Sequence, residues 1–156
     1  MPGSKWWAPL AAPLAGLAAG PLIGHASAQT PSARDIVGVW TEDDGQLKFE
    51  VHEVGETYEA RIIHSGRVME ADGRTFRADT LNPDPTLRSR SLKGTVILSG
   101  LRWKPESRRW DGASLYDGSS GRTYSAYVSL VDGHMELRGY LGVPLLGQTV
   151  TLRRAQ

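Results

Sequence analysis

The sequence of 156 residues contains no cysteine, and this absence excludes several chemistries at once. Without thiols there is no disulfide framework, no thiolate metal site, no cysteine nucleophile and no acylated N-terminal cysteine. The chain also has no excess of one charge. Of its 18 Lys and Arg residues, 17 follow Lys5, and they are balanced by 17 Asp and Glu residues. This balance argues against nucleic acid or an anionic membrane as a partner, since both require a basic face.

Recognisable catalytic and cofactor motifs are absent as well. The chain has no Gly-x-Ser-x-Gly elbow, no Walker or dinucleotide glycine loop and no EF-hand pattern. A transition-metal site needs converging ligands, but His52 and His134 fall on the presumed outer faces of their strands, away from His64. We therefore predict no catalytic residue, no metal and no cofactor.

The first 28 residues have the features of a secretory signal peptide. Lys5 gives a positive start, residues 6–23 are apolar without a charge, and an Ala-Ser-Ala cleavage site ends at Ala28. A membrane anchor is the alternative, but prolines interrupt the apolar stretch, and each costs about 3 kcal/mol inside a helix. We expect cleavage after Ala28 by the general secretion route, a flexible lead over residues 29–35, and a periplasmic or secreted domain over residues 36–156 with no membrane span.

Short segments rich in Val, Ile, Thr and aromatic residues make up most of the remaining sequence, separated by Gly and Asp-Gly turns. Leu47, Phe49 and Val51 alternate with polar residues, as expected of a strand with one dry and one wet face. Such a pattern predicts an all-β domain, either an eight-stranded antiparallel barrel or a closely related sandwich. The predicted strands are residues 36–41, 46–54, 57–64, 94–103, 110–116, 123–131, 134–139 and 148–154.

The side chains predicted to face the barrel interior are mostly apolar. Tyr58, His64 and Tyr124 are the polar exceptions, and they are candidates to orient a bound small molecule. Eight strands enclose either a packed core or space for one small ligand, and the sequence leaves both open. For His64, an ordinary histidine at the barrel end is the alternative. The predicted inward residues are Leu47, Phe49, Val51, Tyr58, Ile62, His64, Tyr124, Val128, Met135 and Leu137.

One connection, between the third and fourth predicted strands, is too long and polar for a hairpin. Asp84 followed by Pro85 suits a helix start, so we predict one short helix over residues 85–90, lying across one end of the barrel. Asp79, Asn82 and Asp84 offer oxygen atoms at short spacing, which fits calcium, but Asx-turns and a helix cap explain them without an ion.

Four arginines are candidates for a further polar site. They would bind a carboxylate or phosphate together, as an anion clamp, if their side chains converged at one end of the barrel. The four are Arg88, Arg90, Arg138 and Arg122. The alternative is that Arg88 pairs with Asp79 or Asp84 and pins the long connection. The two roles are compatible with each other.

Several motifs resemble a known family. The resemblance is carried by Gly38-Val39-Trp40, Asn82-Pro83-Asp84-Pro85, Leu87-Arg88-Ser89-Arg90-Ser91-Leu92-Lys93-Gly94, Tyr116-Asp117, Gly121-Arg122-Thr123-Tyr124, Arg138-Gly139-Tyr140-Leu141-Gly142, Leu146-Gly147-Gln148-Thr149 and Arg154. Together they are similar to DUF2147, small exported bacterial proteins of unknown function. One departure is Gly118, where that family usually has proline.

The resemblance implies a lipocalin-like (calycin-type) barrel. In such barrels Gly38 and Trp40 of the first strand meet Arg154 of the last, and the guanidinium lies over the indole, a contact of about 0.5–2 kcal/mol. The expected function is binding of one small hydrophobic or amphipathic molecule, with residues 82–90 covering the mouth. Two alternatives stay open, namely an envelope interaction module with a packed barrel and exposed Trp103 and Trp110, and an uncharacterised hydrolase using His64 or Asp79 as a base.

Overall fold

The computed structural model describes residues 29–156, so the predicted signal peptide lies outside the described residues. Eight antiparallel strands, paired in chain order, close into a barrel. They are β1 (Gly38–Thr41), β2 (Leu47–Val54), β3 (Thr57–Ser65), β4 (Val96–Lys104), β5 (Arg109–Asp117), β6 (Arg122–Val131), β7 (His134–Tyr140) and β8 (Gln148–Arg154). Between residues 29 and 156 no helix has the length and apolar character to cross a membrane.

The eight strands are those predicted from the alternating pattern, and each boundary lies within two residues of its prediction. Closure comes from the pairing of β1 with β8, in which Trp40 is opposite Arg154. Tight turns join most neighbours; at the β6–β7 hairpin Asp132 and Gly133 have φ of 49° and 80°, as the predicted Asp-Gly turn requires. The prediction of an all-β barrel is confirmed.

One end of the barrel is solid, and we call it the closed end. Its largest side chains are Trp40 and Trp110, which are 1% and 0% exposed. The indole nitrogen of Trp40 donates to the carbonyl of Ile36 at 2.8 Å, and that of Trp110 donates to the carbonyl of Ala33 at 2.9 Å. The predicted flexible lead therefore makes specific contacts beneath the barrel from about Ser32 onward, where Ser32 bonds the Asp35 carboxylate.

The burial of Trp110 argues against the alternative in which this indole is exposed at a protein interface. Trp110 pairs with Trp103 across β4 and β5, and the ring centroids are 4.5 Å apart. Trp103 is half-buried against the core by the same packing. Such aromatic pairs add about 0.5–1.5 kcal/mol to the area they bury, so these indoles serve the core and leave no exposed aromatic patch.

Arg154 seals the closed end as predicted. Its guanidinium lies 4.5 Å from the ring centroid of Trp40. It also donates to the carbonyl of Val37 at 3.0 Å and to that of Asp35. Gly38 has φ of 127°, and a β-carbon there would lie 2.9 Å from the Arg154 guanidinium. The glycine two residues before Trp40 is thus required by both backbone conformation and space.

The long loop (residues 66–95) joins β3 to β4 and contains two 3-10 turns, Gly66–Val68 and Pro85–Leu87. Asp84 caps the second turn, accepting from the Thr86 amide at 2.9 Å. The predicted helix over residues 85–90 is therefore only one turn long. The helix does not continue to Arg90 because residues 90 and 91 pair with residues 78 and 79. The Asp79 amide donates to the carbonyl of Arg90 at 2.9 Å, and Ala78 forms a bridge with Ser91.

Candidate functional site

The opposite end of the barrel, which we call the open end, holds a cavity of about 900 Å³. It is bounded by the β1–β2 turn, the Gly66–Val68 turn, the end of β5, and the β7–β8 connection. A third 3-10 turn, Pro144–Leu146, lies in that last connection. The volume is in the range of small-molecule pockets, about 300–1,000 Å³. The barrel interior is therefore packed towards the closed end and accessible from the open end.

Aliphatic side chains form the inner wall of the cavity, because the inward positions near the open end of the strands are filled by Leu, Ile and Val. Gly139 is an inward position without a side chain, and a β-carbon there would lie 3.1 Å from Leu115. Its absence widens the space beside β7. The apolar wall residues are Leu47, Ile62, Ile97, Leu115, Leu137 and Val150.

The charged residues of the cavity are at its rim, where strands end and turns begin. Burial and the nearby charge of Asp44 raise the pKa of Glu42. Burial would also raise the pKa of Asp117, but hydrogen bonds from Ser119 and Ser120 outweigh it and hold that pKa below its usual value. Arg67 lies near both carboxylates and favours their ionised forms. A ligand would thus meet an apolar interior beneath a mixed polar rim.

His64 does not line the cavity, which corrects the prediction that it faces inward. A bulge in β3 leaves Ile63 without a partner, so Phe49 pairs with Ile62 while Lys48 pairs with His64. Lys48 alternates with inward Phe49 and so lies on the outer face, which places His64 outside as well. Ser65 takes the inward position at the rim.

The three predicted ring side chains are separated in the structure. Tyr58 faces inward, but it is 4% exposed in the closed-end core and does not contact the cavity. Tyr124, at the start of β6, lines the cavity. Alternation gives the side of a strand on which a residue lies but not its height along the barrel. Tyr116 and Tyr140 also border the cavity. They were missed because alternation places them on the face opposite to their inward neighbours, and they reach the mouth of the cavity only because they lie at strand ends.

A buried carboxylate, Asp79, joins the long loop to the barrel. It is 0% exposed and accepts from the Tyr116 hydroxyl at 2.5 Å and from the Asn82 amide at 2.8 Å. The Arg90 guanidinium completes its shell with contacts of 3.0 Å from Nε and 2.8 Å from Nη2. Burial alone would raise the pKa of Asp79, but these hydrogen bonds outweigh it and lower the pKa. Burial and the bond to Asp79 raise the pKa of Tyr116 to about 12.

The arginines serve mainly to fix loops, and they do not converge into an anion clamp. Arg90, not Arg88, pairs with Asp79, because backbone pairing brings residues 79 and 90 side by side. Arg88 donates instead to the carbonyl of Asn82 at 2.8 Å. Arg138 bonds two carbonyls of the β7–β8 connection, and Arg122 is exposed at the start of β6. Of the four, none lines the cavity.

The long loop packs beside the mouth against the β5–β6 turn, so the prediction that residues 82–90 cover the mouth is wrong. A β-carbon at Gly118 would lie 2.7 Å from Leu92, and one at Gly121 would overlap the carbonyl of Leu81. Both glycines therefore provide the space into which the loop packs. Gly118 is the position where the resemblance leads one to expect proline.

The oxygen-bearing side chains of the long loop form hydrogen bonds within the loop itself. Asn82 donates to Asp79 and accepts from the amide of Asp84 at 2.9 Å, while Asp84 caps the turn that follows. Within residues 29–156 no group of three or more His, Cys, Asp or Glu side chains is arranged to hold a metal ion. The calcium reading therefore has no geometric support in this loop.

Comparisons with known proteins agree with this fold. The family described as an uncharacterised protein conserved in bacteria (DUF2147) matches residues 38–154. A solved structure, protein HP1028 from the human pathogen Helicobacter pylori, is 28% identical with a TM-score of 0.65, and the match covers 78% of this chain and 83% of that one. That protein is described as belonging to the lipocalin family. No curated protein matches the sequence.

Proposed function

Because this chain belongs to the DUF2147 family of uncharacterised bacterial proteins and folds as a lipocalin-like barrel, we propose that it binds one small, partly apolar molecule at its open end. The observation that carries the proposal is the cavity of about 900 Å³ with an aliphatic wall. The large inward side chains at the closed end, Trp40, Trp110 and Leu101, are buried, whereas the cavity lies at the end that opens to solvent.

The chemistry of the lining suggests how such a molecule would lie. Its apolar part would contact Leu115, Leu137 and Val150, where burial contributes about 25 cal/mol per Å². Its polar part would remain at the rim near Tyr124 and Arg67, which offer a phenol and a guanidinium. This orientation keeps every charged group of the ligand out of the apolar interior, where an unpaired charge is costly.

The alternatives find less support in the geometry. A packed interaction module was predicted to use exposed tryptophans, but Trp110 is buried. An enzyme was predicted to use His64 or Asp79 as a base. His64 lies outside the cavity. The Asp79 carboxylate is buried away from the cavity lining and accepts hydrogen bonds from Tyr116, Asn82 and Arg90, so neither group is placed to take a proton from a bound molecule.

A fluorescent probe tests the binding proposal. N-phenylnaphthylamine is neutral and brightens in apolar surroundings, and we expect saturable binding to residues 29–156 with one site per barrel. Val150→Lys would place an ammonium against the aliphatic wall and should weaken binding roughly tenfold or more. Val131→Lys adds the same charge at an exposed position of the closed end and should leave binding unchanged.

Two results would contradict the proposal. One is the absence of saturable binding together with no retained molecule in native mass spectrometry of the purified protein. The other is equal weakening by both lysine substitutions. Export is a separate part of the proposal, supported by the sequence of residues 1–28, and it is tested by expressing the full chain in a bacterium. We expect the released periplasmic protein to begin at Gln29, and an intact chain in the cytoplasm would refute export.

A further inference from the structure

Exposed aliphatic side chains are concentrated at the mouth of the cavity. Within residues 29–156, eight large hydrophobic side chains are exposed, and four of them belong to the rim loop (residues 141–147), which joins β7 to β8. Leu145 and Leu146 are 86% and 78% exposed, and Leu141 and Val143 are 56% and 53% exposed. Leu141 and Leu146 also contribute to the lining of the cavity. The apolar surface is therefore continuous with the mouth.

The backbone of the rim loop is held in this shape by Arg138. Its guanidinium donates to the carbonyl of Pro144 at 2.7 Å, to the carbonyl of Leu145 at 3.2 Å and to the Thr149 hydroxyl at 2.8 Å. Gly147 lets the loop pack on β7, since a β-carbon there would lie 2.6 Å from the carbonyl of Gly139. With the carbonyls bonded beneath the loop, the aliphatic side chains project outward.

The size and charge of this surface indicate its partner. Four aliphatic side chains present on the order of 400 Å², comparable to the larger apolar patches of monomers. A standard protein–protein interface buries about 800 Å² on each partner, so the patch is too small to hold a second copy of the chain stably. A lipid interface has no such threshold, because the strength of binding scales with the apolar area that enters the headgroup region, and a small patch gives weak, reversible binding.

The charges around the rim loop fit a neutral lipid surface. No charged residue occurs between Arg138 and Arg153, and the Arg138 guanidinium is already bonded to the loop. On the remaining rim three carboxyl side chains, Glu42, Asp44 and Asp117, outnumber the single guanidinium of Arg67, so the rim does not favour anionic headgroups. Tyr140 adjoins the loop and packs beside Tyr127 at 6.4 Å between ring centroids, and such phenols suit the depth of a membrane interface.

We infer that the rim loop docks the open end of the barrel onto a zwitterionic lipid surface, with Leu145 and Leu146 entering the bilayer. The cavity mouth would then face the lipid directly. This inference does not depend on the identity of a cavity ligand, because docking is measured with vesicles alone.

Sedimentation with phosphatidylcholine vesicles tests the inference. Residues 29–156 form a closed barrel with its own core, so this part of the chain can be studied without the apolar residues before it. We expect it to sediment with the vesicles. The Leu145→Ser/Leu146→Ser variant should bind the vesicles more weakly by a factor of about ten or more. Val54→Ser/Val131→Ser removes two exposed aliphatics that lie at the closed end, and this control should bind like the wild type.

Other outcomes would overturn the inference. They are no binding by the wild type, equal binding by the leucine variant, or equal loss in the control. Binding that needs phosphatidylglycerol and disappears near 1 M salt, where the Debye length is about 3 Å, would instead indicate basic residues elsewhere. A wild-type dimer that the leucine variant dissociates, without vesicle binding, would assign the loop to a second copy. Circular dichroism verifies that each variant is folded.

Discussion

Replacing Asp79 with asparagine tests whether the buried carboxylate holds the long loop on the barrel. Asp79 is 0% exposed and accepts from three different side chains, one of which is charged. Breaking a buried ion pair costs about 3–5 kcal/mol, but the Arg90 side chain is 38% exposed and can be partly solvated, so we expect a loss of about 2–4 kcal/mol.

Asp72 provides a matched control in the same loop. It accepts three hydrogen bonds from Arg74 and Thr75, yet it is exposed, so Asp72→Asn should cost less than about 1 kcal/mol. The measurement is urea unfolding of residues 29–156, followed by tryptophan fluorescence. A loss for Asp79→Asn no larger than that for Asp72→Asn would refute the argument.

The effect of Asp79 must also depend on pH. Because the folded-state pKa is lowered, the carboxylate contributes stability above its unfolded pKa near 3.9, and this contribution is lost as pH falls through the lower folded-state pKa. The difference between the wild type and Asp79→Asn should therefore be constant near neutral pH and shrink below about pH 4. A difference that grows on acidification would contradict the assigned direction.

Three further predictions concern the closure and the loop contacts. Gly38→Ala should destabilise the barrel by about 1–3 kcal/mol in urea, because of its positive φ and the contact with Arg154, and an unchanged midpoint would contradict this. Gly121→Ala should cost clearly more than Gly133→Ala, since both have positive φ but only Gly121 lies against the Leu81 carbonyl; equal losses in thermal unfolding would remove the packing argument. The pKa of Tyr116 is raised to about 12, so the folded protein keeps a proton that the unfolded chain releases near pH 10. The free energy of unfolding of the wild type should therefore fall from about pH 10 upward. The difference in this free energy between the wild type and Tyr116→Phe should narrow above about pH 10, and a difference that widens would contradict the assigned direction.

The strands and the closure could be predicted because they depend on local patterns. Alternation in β2, such as Leu47, Phe49 and Val51, survives in the structure because register is set by which face is buried. The contact between Trp40 and Arg154 follows from the family motifs at the two ends of the domain.

The details of the site could not be predicted, and the reasons are physical. The bulge at Ile63 reverses the side of His64, and no turn or glycine signal announces it. One partner of Asp79 is Tyr116, which is 37 residues away and becomes a neighbour only through the packing of the long loop on β5. Asp84 and Pro85 indicated a helical turn in that loop, but the direction of the loop relative to the mouth depends on the space at Gly118 and Gly121.

The most direct test of the account is to locate a bound molecule inside the barrel. Methyl resonances of residues 29–156 would be followed by NMR during titration with N-phenylnaphthylamine. We expect the methyl resonances of Leu115, Leu137 and Val150 to shift, while those of the closed-end residues Leu101 and Leu152 stay in place. Shifts confined to closed-end or outer-surface residues, or no shifts at all, would contradict a barrel that binds its ligand at the open end.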